Sequence, residues 1–165
     1  MTDDNRAHDL VMERTFDAPP EVIWSMWAEA EHVAAWYGPA GASISVSAMD
    51  VRVGGTRLLR MEVTTPDGTM QMWFAGQYLE VIENQRLVYT DAVSDEHGNV
   101  LPPDQTGMPS GHPATTEVRV ELEPVNGGTK MKLTHVGIPA GSPGGAGWAM
   151  ALDKFAAHLS EQSTQ

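Results

Sequence analysis

The sequence contains no cysteine. Disulfides, thiolate metal sites, iron–sulfur clusters and cysteine nucleophiles are excluded together. Basic residues are scarce as well: 10 lysines and arginines stand against 22 aspartates and glutamates, a formal net charge of -12. A surface of that sign repels a phosphate backbone, and Lys130 and Lys132 make only a pair on one strand, so no nucleic-acid partner is expected. No apolar run approaches the ~20 residues needed to span a bilayer. The acidic, polar start, Met1-Thr2-Asp3-Asp4-Asn5, does not read as a secretory signal. These absences point to a cytoplasmic protein.

Familiar catalytic and cofactor motifs are missing too. Gly54-Gly55, Gly127-Gly128 and Gly144-Gly145 supply neither a phosphate loop nor a dinucleotide fingerprint. The run Gly144-Gly145-Ala146-Gly147 precedes a helix and reads as its flexible lead-in rather than as an anion cradle. No serine sits in a nucleophile elbow. The six histidines, His8, His32, His97, His112, His135 and His158, show no His-x-x-x-His spacing, so neither a metal nor another cofactor is expected.

What is present suits one globular core. The chain has 165 residues, 41% hydrophobic and 19% charged, which predicts a single domain over residues 1–165 with residues 1–7 and 161–165 frayed. Alternation predicts a strand over 10–16, stopped by Asp17-Ala18-Pro19-Pro20. Helical spacing follows over 21–36, with a break near 29–31 that makes two short helices. Further strands are predicted around Ile44, Val46 and Ala48, then over 57–65, 70–82, 86–93, 116–123 and 129–137. Within 70–82 the apolar face switches, which predicts a bulge near Gly76. Residues 94–113 have no periodicity and are rich in proline and glycine, the composition of a long loop or lid. Trp148, Leu152, Phe155 and Leu159, spaced i, i+4, i+7, i+11, form the apolar stripe of a final helix. Consecutive strands with tight turns predict an antiparallel meander, and the long helix is the element available to cover it. The expected class is α+β.

Several distinctive fragments follow one another in order along nearly the whole chain. They are Arg14 with Phe16-Asp17-Ala18-Pro19-Pro20-Glu21 and Trp24, Trp36 with Gly38-Pro39, and Asp50 with Val53-Gly54-Gly55. Gly76 with Tyr78-Glu80-Val81, Arg86-Leu87, Gly128-Thr129, His135 and Gly147-Trp148 with Leu152 complete the set. This ordered set resembles the activator of heat-shock-protein-90 ATPase-like branch of the START/Bet v 1-like helix-grip superfamily. The resemblance implies a curved antiparallel sheet wrapped around a long C-terminal helix, with a hydrophobic cavity between them. It implies little about activity, because such folds serve lipid carriers, hormone-binding proteins, polyketide cyclases and co-chaperone domains. The long segment 94–113 departs from the pattern at the expected cavity mouth.

Ten methionines and five tryptophans suit an adaptable apolar pocket. Trp36, Met61, Met72, Phe74, Tyr89, Met131, Leu133, His135 and Met150 are the expected lining. His135 shares a face with Met131 and Leu133, where it serves as a ligand contact, a general acid/base or a structural histidine. Arg14 shares its parity with Leu10, Met12 and Phe16; it is either paired inside with Asp50 or Glu62 or emerges at the sheet's rim. The leading expectation is a binder of a small apolar molecule that does no covalent chemistry. The alternatives are a cyclase- or hydrolase-like enzyme using His135 and Arg14, and a stress-response module contacting a chaperone. A homodimer is left open, and a chaperone partner rests on the family name alone.

Overall fold

The computed structural model describes residues 9–38, 41–102, 115–137 and 143–163. Strand β1 (Asp9–Phe16) leads into helices α1 (Pro20–Ala28) and α2 (Ala30–Trp36). Six strands follow: β2 (Ala42–Met49), β3 (Thr56–Thr65), β4 (Gly68–Ile82), β5 (Arg86–Ser94), β6 (Thr115–Val125) and β7 (Gly128–Val136). Helix α3 (Pro143–Ser163) ends the described chain. Pro19 caps α1 in an extended conformation and Pro20 occupies its first turn, where the missing N–H leaves no bond unmade. Glu29, again extended, separates α1 from α2.

The strands form one seven-stranded sheet in the order β1-β7-β6-β5-β4-β3-β2, and each neighbouring pair is antiparallel. From β2 to β7 each strand pairs with the next, as short turns favour. The two short helices carry the chain from the β1 edge to the β2 edge. Helix α3 buries its stripe Trp148, Leu152, Phe155 and Leu159 in the same cluster as the inward residues of the sheet, the helix-grip arrangement. The Phe155 ring lies 4.9 Å from Phe16 and 4.8 Å from Trp36, and Trp27 lies 4.7 Å from Trp36.

Four local expectations are corrected. The irregularity in β4 lies between Tyr78 and Glu80, not at Gly76. Gly76 is required for another reason: a Cβ there would stand 1.8 Å from the Thr90 carbonyl oxygen of β5. Phe74 and Tyr78 stay on the inner face up to the bulge, and Val81 takes over beyond it. Helix α3 begins at Pro143 rather than Trp148 and continues to Ser163, so residues 161–163 are helical rather than frayed. Ser94 closes β5 and bridges to Val100. Asp95 then fastens a turn by accepting from the backbone N–H groups of His97 and Asn99, so the start of the expected loop is ordered. The remaining loop residues, His112 among them, lie outside the described residues, as do residues 1–7 and 164–165.

Candidate functional site

Where α3 passes over the end of α2 and the inner faces of β2–β5 and β7, the packing leaves a cavity of about 150 Å³. Ile44, Met61, Phe74, Trp148 and Ala151 supply its apolar wall; Tyr37, Gly38 and Gly147 complete the lining, and Asp91 and His135 contribute polar residues. Alternation explains these positions: Met61 follows Arg57 and Leu59 on one face of β3, Asp91 follows Leu87 and Tyr89 on β5, and His135 follows Met131 and Leu133 on β7.

His135 is only 7% exposed. The Trp148 indole N–H donates to its Nδ1 at 2.9 Å. Indole is a donor only, so Nδ1 accepts and the imidazole proton sits on Nε2. That N–H donates to Thr116 Oγ1 at 2.7 Å, and the Thr116 hydroxyl donates to the Asp91 carbonyl oxygen at 3.3 Å. One chain of hydrogen bonds thus ties α3, β7, β6 and β5 together, with both nitrogens of His135 engaged in it.

Behind the wall lies a buried polar cluster. The Arg57 guanidinium stacks 4.0 Å from the Tyr89 ring centroid and 4.9 Å from that of Tyr37, a cation–π arrangement. The two tyrosine hydroxyls meet at 2.8 Å. Asp91 Oδ1 lies 3.8 Å from Arg57 Nη1, close enough for attraction but too long for a hydrogen bond. Neither atom has a hydrogen-bond partner, and the Tyr78 hydroxyl lacks one as well. Burial pushes the Asp91 carboxyl up to about 6, with Arg57 pulling in the opposite direction. Burial also raises Tyr37, Tyr78 and Tyr89, which keeps their hydroxyls protonated.

Of the residues expected to line a cavity, Met61, Phe74 and His135 meet at this one. Met72 pairs with Met61 in register and is half-buried, but it is not part of this wall. Tyr89 is buried beneath Tyr37, in the polar cluster. Three others are corrected to core. Trp36 is fully buried, donating its indole N–H to the Met26 carbonyl at 2.8 Å. Met131 accepts from the Trp27 indole at 3.3 Å, and Leu133 is fully buried in the same packed cluster. Met150 is 39% exposed: two residues beyond Trp148, it stands about 200° around the helix from the buried stripe. Arg14 is a rim residue. Its Nη1 reaches Asp153 Oδ1 at 3.1 Å, and Asp153 is largely exposed; Asp50 instead pairs with Arg52, and Glu62 accepts from Gln71.

Sequence reasoning missed Asp91, Arg57, Tyr37 and the wall residues of α3. The available signal was a charged residue on the apolar face of a strand: Arg57 with Leu59 and Met61, and Asp91 with Leu87, Tyr89 and Val93. A wider groove of about 660 Å³ lies at the other end of α3, between the β1–α1 turn and residues such as Met26, His32 and Leu159. At its edge His32 Nδ1 and His158 Nε2 are 2.9 Å apart. Among the described residues no group of three or more His, Asp or Glu could hold a metal ion. No helix among them is long and apolar enough to cross a membrane.

Comparisons with known proteins bear on the whole of this architecture. A crystal structure of a protein from Chromobacterium violaceum superposes with a TM-score of 0.75 at 26% identity, over 92% of this chain and 96% of that one. A solution structure from Arthrobacter aurescens gives 0.78 at 25% identity, over 96% and 89%. The AHSA1 protein of Silicibacter pomeroyi shares the fold, with a TM-score of 0.69 at 22% identity over 93% and 99%. A search of the curated proteins returns no match. The model of the family described as Activator of Hsp90 ATPase homolog 1-like protein matches residues 17–160, and the chain belongs to that family.

Proposed function

We propose that this protein binds a small, mainly apolar molecule in the cavity between the sheet and α3, and that it does so without covalent chemistry. The observation that carries the reading is the cavity itself: about 150 Å³, walled mostly by Ile44, Met61, Phe74, Trp148 and Ala151. An apolar cavity of roughly that volume is large enough to take a benzene ring. Family membership supports a ligand-binding or co-chaperone-like domain, and this geometry favours the first. Of the exposed large hydrophobics, Met70, Leu79 and Ile82 lie along β4, and Val11, Val53, Val100, Val125 and Met150 lie on five other segments, a scatter that gives a chaperone-docking face little support. A catalytic reading would fall on Asp91 rather than His135, because both nitrogens of His135 are engaged.

Gly147 offers a direct test. It lines the cavity, and a Cβ added there meets nothing within 4 Å. Gly147→Leu therefore adds bulk at the cavity wall without a clash at Cβ, while improving helix propensity by up to ~1 kcal/mol. An environment-sensitive apolar dye should bind the natural protein one to one and be displaced by small aromatics, and the variant should lose this binding while folding normally. Undiminished dye binding in a folded Gly147→Leu variant would remove the cavity from the function.

A further inference from the structure

We infer that the molecule held in this cavity carries a neutral hydrogen-bond donor, a phenolic or alcoholic hydroxyl, directed at the Asp91 carboxylate. The inference rests on the cavity-binding reading above and adds the chemistry of the ligand's polar end. It follows from elimination among the polar groups of the wall. Both ring nitrogens of His135 are engaged by Trp148 and Thr116. The Tyr37 and Tyr89 hydroxyls share one hydrogen bond, which uses one of their two O–H donors, so what this pair still has to offer a ligand is a donor, and the open acceptor is sought on Asp91. Asp91 lines the cavity and its side chain makes no hydrogen bond, only the long 3.8 Å approach to Arg57. An ionised carboxylate accepts and does not donate, so the complementary group must be a donor.

The charge of that donor is set from behind. The Arg57 side chain is 3% exposed and always protonated, and it stands against Asp91 with its other faces covered by the rings of Tyr37 and Tyr89. The pair has no net charge. An ammonium entering the cavity would give up its hydration to meet a carboxylate already neutralised, and a ligand carboxylate would meet Asp91 first. A hydroxyl keeps most of its cost low and still gains a charge-assisted hydrogen bond.

Four one-ring probes of matched shape separate the outcomes: p-cresol, p-xylene, 4-methylbenzylamine and p-toluate, titrated by calorimetry against the full chain. The expected result is p-cresol binding about tenfold or more tighter than p-xylene, the worth of one hydrogen bond to a charged group, with the amine and the carboxylate weaker than p-cresol. Asp91→Leu would leave the buried Arg57 guanidinium facing only methyl groups, so the test variant is Asp91→Asn, which removes the charge but keeps the shape and a carbonyl oxygen beside Arg57, with its folding checked by circular dichroism. In it the preference for p-cresol over p-xylene should shrink several-fold while p-xylene affinity holds. Equal binding of p-cresol and p-xylene would overturn the hydroxyl assignment and leave the cavity reading intact. A tighter amine would make the site a cation site and overturn it, and a preference unchanged in Asp91→Asn would move the donor's partner away from Asp91. Failure of all four probes to bind would defeat the cavity reading itself.

Discussion

At Asp91, burial and incomplete pairing combine to give stability a definite sign against pH. The carboxyl sits at about 6 in the folded chain against an ordinary 3.8, so between those values the folded state binds more protons than the unfolded one. Stability contributed by this group therefore falls as pH rises from about 4 to about 6. Above that window the full cost is present, on the order of 3 kcal/mol. Asp91→Asn removes the titration. The expected outcome, read from denaturant unfolding at several pH values, is a natural protein that loses ground to Asp91→Asn as pH rises through the window. A constant difference between the two across pH 4 to 6 would show that the carboxyl titrates normally. None of this was visible from composition, because the raised value comes from burial that the nearby Arg57 offsets only in part. That both charges occupy inward positions was legible; that they stop 3.8 Å apart was not.

Helix α3 is the element on which the reading of the sequence succeeded most directly. Its stripe was recognisable from spacing, and Leu152 and Phe155 are fully buried. Leu152→Ala should cost about 2–5 kcal/mol, the range for a leucine removed from a packed interior. A loss below about 1 kcal/mol in a denaturant titration would mean that the helix rests only loosely on the sheet. The same spacing argument would have rejected Met150, whose position two residues past Trp148 turns it to solvent. Composition, not periodicity, had placed it in the cavity. Strand β7 shows the opposite limit. Parity correctly sent Met131, Leu133 and His135 to one face, but whether an inward residue meets core or cavity depends on the element above it. Helix α1 lays Trp27 over Met131, while only His135 lies at the cavity. Such long-range juxtapositions have no local signature. The β4 irregularity was anticipated but misplaced, because Gly76 answers to the Thr90 carbonyl and not to the bulge.

At the scale of the whole molecule, the excess of acidic residues is the property with the widest reach. A formal charge of -12 favours solubility and opposes compactness through self-repulsion. Several ion pairs offset it locally, notably Arg86 with both Glu80 and Glu121, and exposed pairs of this kind contribute little each. Raising salt from about 0.01 M to about 0.15 M shortens the Debye length from about 30 Å to about 8 Å. The expected outcome is a rise in Tm of about 2–4 °C by calorimetry, the equivalent of ~1 kcal/mol at this chain length. A Tm that falls with salt would mean that favourable pairs outweigh the net repulsion. The α+β class, the helix pair between the first two strands and the covering helix could all be read from the order of elements. The cavity's polar lining could not, because it is assembled from β5, β7 and the end of α2, segments far apart in the chain.

Trp148 also makes the cavity optically accessible. Its indole forms part of the wall and is held by its bond to His135, so the ring cannot turn away from an occupant. Trp24, Trp27 and Trp36 are packed in the core, Trp73 is half-buried on β4 outside the cavity lining, and these four contribute the background. The emission colour of Trp148 depends on what lies against its face, which makes the protein its own fluorescent indicator of occupancy, with no label attached.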